Sequence, residues 1–170
     1  MQVIQTERLS LRWLNEGDAE FILNLLNQPS WLEFIGDRGV RNLDDARSYI
    51  NDGPLTMIRQ HGFGLYLVEK KSDRQAIGIC GLLKREALED VDIGFAFHPH
   101  FWGQAYAREA AAACLEYARV ELGLERIVAI TMPENRASIA LLKAIGMQYQ
   151  KDTSLGRSEE VLQLFSKEFR

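Results

Sequence analysis

The stretch FHPHFWGQAYAREA, residues 97–110, joins a strand pattern to a helix pattern, and its reading decides the fold. Just upstream, Val91, Ile93, Phe95 and Phe97 alternate with Asp92, Gly94 and Ala96, the period of a β-strand, and the pair His98-Pro99 stops it. Downstream, Ala107, Ala111, Cys114, Ala118 and Leu122 form one apolar seam of a helix over 105–122, with Gly123 placed to cap it. The turn between them is built of small residues, Gly103, Ala105 and Ala107. Free N–H groups at a helix start with little bulk around them suit a phosphate or pyrophosphate. The same residues also suit a tight turn into a closely packed helix. No Gly-Lys-Ser/Thr follows, so this is not a P-loop, and it is not the dinucleotide G-x-G-x-x-G pattern. On the strand, the face of Asp92, Gly94 and Ala96 carries little side-chain bulk, so a ligand can lie against its backbone. Asp92 is the only acid there, and reads either as a working carboxylate or as a solvent-facing aspartate.

Working outward, Leu9, Leu11 and Trp13 alternate with Ser10 and Arg12 as a first strand. Residues 18–28 read as a helix ended by Pro29. A second helix begins at Asn42 or Leu43, with Asn42 as cap and Asp44 and Asp45 in its first turn, and Gly53-Pro54 interrupts it. Strands follow over 63–69, 76–83 and 91–97, the first two joined by the polar turn 70–75. After the long helix, 126–132 is an apolar strand buried on both faces. A helix over 135–145 closes at Gly146, and strands over 147–153 and 160–167 finish the chain. The fold class is therefore mixed α/β, with about seven strands and about four helices and an antiparallel middle. Asn135 and Ser138 share the first turn of the last helix. Capping and back-bonding are their ordinary roles; ligand contact is the other reading.

Composition bounds the function. The chain has 170 residues, enough for one domain over 1–170 with its own core. Lys plus Arg is 20 against 24 Asp plus Glu, a net charge of -4, and no basic patch argues for nucleic acid. No apolar run is long enough to span a membrane, and MQVIQTERLS does not read as a signal peptide. Cys80 and Cys114 read as small buried hydrophobes, which fits a reducing cytoplasm. His61, His98 and His100 make no zinc spacing with them, so no metal is expected.

Together these motifs resemble the GCN5-related N-acetyltransferase (GNAT) superfamily, in its RimJ/RimL-like branch. The acetyl-CoA signature Gln/Arg-x-x-Gly-x-Gly/Ala aligns with Trp102-Gly103-Gln104-Ala105-Tyr106-Ala107, and WGQAYAREA stands close to the branch's W-G-Q-G-Y-A-T-E-A. The branch's helix residues Asn, Ser, Leu, Gly and Phe or Met appear as Asn135, Ser138, Leu141, Gly146 and Met147. Asp92-Ile93-Gly94-Phe95, TERLSLRWL and LDDARSYI complete a likeness that covers nearly the whole chain. Three positions depart from the pattern, the first being Trp102 in place of Gln/Arg, which is common in this branch. Ala105 replaces the central glycine, harmless if right-handed and costing about 1 kcal/mol if φ is positive. Leu142 stands where many members carry a tyrosine that protonates the leaving thiolate.

The resemblance implies a mostly antiparallel sheet splayed between the fourth and fifth strands. It implies acetyl-CoA as cosubstrate and a primary amine as acceptor: the N-terminus of a ribosomal protein, or a small amine or amino acid. Backbone groups of Phe95, Ala96 and Phe97 are expected to hold the pantetheine arm, and those from Trp102 and Gly103 through Gln104, Ala105, Tyr106 and Ala107 the pyrophosphate. Asn135 is assigned to the pantetheine or the attacking water, Ser138 to the sulfur and Asp92 to the amine proton. A carboxylate of ordinary pKa is a weak base for an ammonium, so a water relay or a neutral amine serves equally. Glu33 and Asp37 are rival acids for a cationic acceptor, whose pocket is expected from Trp31–Arg41 and Leu155–Glu159. A monomer or homodimer fits. The competing readings are an acyl-CoA-binding module without turnover and a Rossmann-type nucleotide domain. The glycine-poor N-terminal third argues against the latter.

Overall fold

Leu9 and Leu11 pair with a strand upstream of them as well as one downstream, because Val3 and Ile4 supply a further short apolar run. The computed structural model describes residues 2–156 and 160–169. Its strands are β1 (Gln2–Gln5), β2 (Leu9–Arg12), β3 (Leu65–Lys70), β4 (Ala76–Leu83), β5 (Asp92–Phe97), β6 (Arg126–Thr131), β7 (Gln148–Thr153) and β8 (Leu162–Glu168). They form one eight-stranded sheet ordered β1-β2-β3-β4-β5-β6-β8-β7. Every neighbouring pair is antiparallel except β5 and β6. β1 is the strand the sequence reading lacked: it is four residues long and meets β2 across a register shift between Gln2 and Ile4.

The helices are α1 (Ala19–Leu26), α2 (Pro29–Phe34), α3 (Leu43–Ile50), α4 (Thr56–His61), α5 (Tyr106–Val120) and α6 (Arg136–Ala144). One expectation is corrected and another is sharpened. Pro29 does not simply end a helix; it opens α2 near its first position, where its missing N–H costs nothing. Gly53-Pro54 does interrupt the α-helix after Ile50, but the chain keeps a helical path through it. A π-helical turn over Asn51–Leu55 carries it into α4, the widened turn accommodating Pro54 inside it. Asn42 caps α3 as read, its side chain accepting the Asp45 N–H at 2.8 Å.

The sheet is covered on both faces. Tyr66, Val68, Cys80, Leu82 and Ile93 pack with Ala111, Cys114 and Ala118 of α5. Leu67 and Ile79 face the other way, toward Ile22, Leu25, Ala46 and Ile50 of α1 and α3. The Cys80 and Cys114 sulfurs lie 3.5 Å apart in the α5 layer as buried free thiols. Gly78 of β4 is required by close approach: a Cβ there would stand 2.6 Å from both the Ala96 carbonyl oxygen and the Phe97 ring. Among the described residues no helix is long and apolar enough to cross a membrane.

Candidate active site

The site is built where β5 and β6 part. They are parallel and paired only at Asp92 with Val128, supported by a bond from the Val128 N–H to the Val91 carbonyl at 3.1 Å. Beyond Asp92 the strands diverge, so the edge of β5 from Ile93 to Phe97 has no ladder partner on that side. Its buried backbone donors and acceptors therefore need a ligand or water. This is the splay expected between the fourth and fifth strands, which become β5 and β6 once β1 is counted.

A cavity of about 460 Å³ runs along this edge from the start of α5 to the start of α6. It is lined by Phe95, Ala96 and Phe97, by Trp102, Gly103, Ala105, Tyr106 and Ala107, and by Asn135 and Ser138. Of the residues assigned to the cosubstrate, only Gln104 is absent from the lining. α5 begins without any side-chain cap. Its first intrahelical bond is from Glu109 N–H to the Ala105 carbonyl, so the N–H groups of Tyr106, Ala107 and Arg108 find no acceptor within the helix. A fifteen-residue helix thus meets the cavity wall with its first N–H groups uncapped, the geometry that suits an anion. Arg108 and Arg136 add positive charge to the same lining, which the sequence reading had left to the backbone alone.

The turn is held from three directions. The Trp102 indole donates to the Phe97 carbonyl at 2.8 Å, tying the turn back to the end of β5. Glu109 accepts from the Thr6 hydroxyl at 2.5 Å and from Arg8 Nε at 2.7 Å. The Arg8 guanidinium lies 4.4 Å from the Tyr106 ring centroid. Gly103 and Ala105 both have positive φ, +78° and +64°. Ala105 thus takes the costly branch of the two foreseen. Ala105→Gly is expected to raise stability by about 0.5 kcal/mol: about 1 kcal/mol of strain is relieved, partly offset by the freer unfolded chain. Chemical denaturation measures it; a loss of stability would show that the methyl group packs usefully.

The second cavity, about 530 Å³, opens on the other side of the splay and shares Phe95, Ala96, Asn135 and Ser138 with the first. Here Asp92 is only 1 % exposed, which corrects its reading as a solvent-facing residue. Burial pushes its carboxyl up to about 6, against the opposing pull of Arg85 and Lys84. Arg85 Nε reaches it at 3.1 Å. Asp92 therefore does not have the ordinary pKa assumed from its type. Asn135 does cap α6, its side-chain oxygen accepting the Ser138 N–H at 3.2 Å. The Ser138 hydroxyl has no protein partner among the described residues.

Trp31, Phe34, Ile35 and Arg38 line this cavity as expected, and so does Leu155; residues 157–159 lie outside the described ones. The rival acids do not. Glu33 is exposed and outside the lining, and exposed Asp37 is ion-paired with Arg41. The sequence reading missed Tyr49, Met57, Gln60 and Arg85, which reach the cavity from separate segments and leave no local pattern. Among the described residues no cluster of His, Cys, Asp or Glu is arranged to hold a metal ion.

The comparisons agree with this architecture. The Bacillus subtilis (strain 168) protein YkkB is 30% identical over 149 residues, covering 86% of this chain and 85% of its own. A crystal structure of a GNAT-family acetyltransferase from Bacillus anthracis superposes with a TM-score of 0.81 at 25% identity, over 99% of this chain and 98% of that one. RimL, described as a ribosomal L7/L12 alpha-N-protein acetyltransferase in complex with coenzyme A, shares the fold at a TM-score of 0.82 and 16% identity, over 99% of this chain and 98% of that one. The sequence pattern of the acetyltransferase (GNAT) domain matches residues 8–148, most of the chain, and the protein belongs to that acetyltransferase family.

Proposed function

We propose that this chain transfers an acetyl group from acetyl-CoA to a primary amine within a ternary complex. The observation that carries this is the continuity of the site. An uncapped helix start lies at one end, an unpaired strand edge in the middle and a buried carboxylate at the other end. The N–H groups of Tyr106, Ala107 and Arg108 take the pyrophosphate, with Arg108 and Arg136 nearby. The free edge of β5 at Phe95 holds a pantetheine amide and offers an N–H to the carbonyl oxygen as it gains charge, whereas the Ala96 N–H and carbonyl face β4 opposite Ile79 and do not take the role expected of them. Holding amine and thioester together removes much of the entropic barrier.

In the transfer, the amine nitrogen forms a bond to the acetyl carbon and the carbon–sulfur bond breaks. The amine proton goes toward Asp92, and the sulfur leaves as a thiolate. Asp92 precedes Phe95 by three strand residues, about 10 Å, so the proton reaches it through water. Ser138 donates its free hydroxyl to the departing sulfur, and Asn135 offers its amide N–H groups to the pantetheine. A thiol titrates near about 8.5, so the thiolate needs only modest help. Ser138→Ala is therefore expected to lower kcat about 10-fold and leave acetyl-CoA affinity nearly intact. Stopped-flow turnover with equilibrium binding reads both, and an unchanged kcat removes Ser138 from the mechanism. The reading as a whole is tested by release of free CoA thiol over a panel of amines, amino acids and N-terminal peptides. Tight acetyl-CoA binding with no release from any acceptor favours the binding module instead.

A further inference from the structure

The second cavity carries charges that a site for a bare amine does not need. Arg85 follows β4 and contacts Asp92 through Nε alone, at 3.1 and 3.3 Å from its two oxygens. Its two terminal nitrogens have no protein partner among the described residues, and its side chain is 30% exposed. Arg38, in the loop after α2, lines the same cavity and is exposed, with no ion pair among the described residues. Arg38 and Arg85 thus bring two guanidiniums to the lining of one cavity. Tyr49 is itself part of the lining, and its hydroxyl has no hydrogen-bond partner among the described residues.

Two guanidiniums repel an ammonium. The acids of the lining, Asp52, Asp92 and Glu160, attract one. A cavity with both signs and with apolar walls at Trp31, Phe34, Ile35 and Met57 is complementary to a molecule that carries both signs and an apolar body. Arginine's planar fork with a phenol beside it matches a carboxylate, which accepts several N–H and O–H groups at once.

We infer that the acceptor is a small amino carboxylate with an apolar side chain, whose carboxylate is held by Arg38, Arg85 and Tyr49 while its amine turns toward Asp92 and the channel. This rests on the acetyl-transfer reading of the same site. A peptide N-terminus presents a neutral amide at that position, so it leaves the guanidinium groups without an anion. Loss of a charged hydrogen-bonding partner in such a site lowers affinity by about 10- to 100-fold.

The test has a binding arm and a turnover arm. Calorimetry in the presence of CoA compares N-acetyl-L-phenylalanine with N-acetyl-L-phenylalaninamide, both product-like and unable to react further. The acid is expected to bind at least 10-fold tighter, and Arg38→Gln and Tyr49→Phe are each expected to reduce that ratio. Equal binding of acid and amide, or no binding of the acid, overturns the inference. In turnover, kcat/KM for L-phenylalanine, L-leucine and L-methionine should exceed that for their amides and for short peptides at least 10-fold. Efficient use of peptides over the free acids overturns it. Acid-selective binding with no CoA release from any acceptor supports the carboxylate site and overturns the acetyl-transfer reading alone.

Discussion

Asp92→Asn is expected to lower kcat/KM about 100-fold at pH 7, at the low end of what a positioned base supplies. The carboxyl is buried and raised to about 6, close enough to working pH to accept a proton and release it again. The wild-type rate should therefore fall below an apparent pKa near 6, and the variant should lose that limb. Its deficit should shrink as pH rises toward the pKa of the acceptor amine, because a neutral amine has no proton to give up before attack. A pH–rate profile of both proteins reads all three effects. Equal kcat/KM at pH 7 would remove Asp92 from proton transfer.

The same group leaves a trace in stability, with a definite sign. Its folded pKa lies above its ordinary value of 3.8, so between those two values the folded state holds more protons than the unfolded state. Stability therefore falls as pH rises from about 4 through 6, by about 3 kcal/mol once the group is fully ionised. In Asp92→Asn this slope is absent. Arg85, 30% exposed, can return to water in the variant, so the fold survives the loss of its partner. A rate loss with the stability slope gone and the fold intact separates proton transfer from a scaffold role.

How much of this was legible follows from distance along the chain. The alternation at Val91–Phe97 and the seam from Ala107 to Leu122 are local, and the structure places both as read: Ile93 and Phe97 pack with Ala111, Cys114 and Ala118. Pro29 has a local preference too, but proline suits both the residue after one helix and the first turn of the next, so sequence alone reads it either way. The sign of φ at Ala105 is set by how the turn meets α5, which composition does not state. Asp92 was singled out by its place on a face of small residues. Its burial was not, because it depends on the one ladder pair with Val128 and on a fold-back that returns Lys84 and Arg85 to it. The Arg38, Tyr49 and Arg85 group comes from three segments joined only in space.

Ala107→Glu is expected to weaken CoA binding about 100-fold while changing stability little, the gain at the helix start offsetting the charge placed on a partly buried residue of the apolar seam. Ala107 is the second residue of α5, whose first turn has three N–H groups without helical acceptors and no side-chain cap. An uncapped start with an αL alanine before it is a poor choice for stability. A carboxylate in the first turn interacts favourably with the helix dipole, by about 0.3–1 kcal/mol. It also places negative charge where the pyrophosphate is to bind, and Coulomb repulsion over a few ångströms near a protein surface amounts to several kcal/mol before screening by salt. The affinity loss should therefore diminish at high ionic strength, as a purely steric loss would not. Thermal unfolding and calorimetric titration of CoA, at low and high salt, measure the two effects. A variant that keeps its stability and still binds CoA as tightly as wild type would show that the open start of α5 serves packing alone. Loss of both stability and binding would mean that Ala107 is needed as a small packing residue. Only the combination of retained stability and a salt-sensitive loss of affinity shows that these N–H groups are left open to receive an anion.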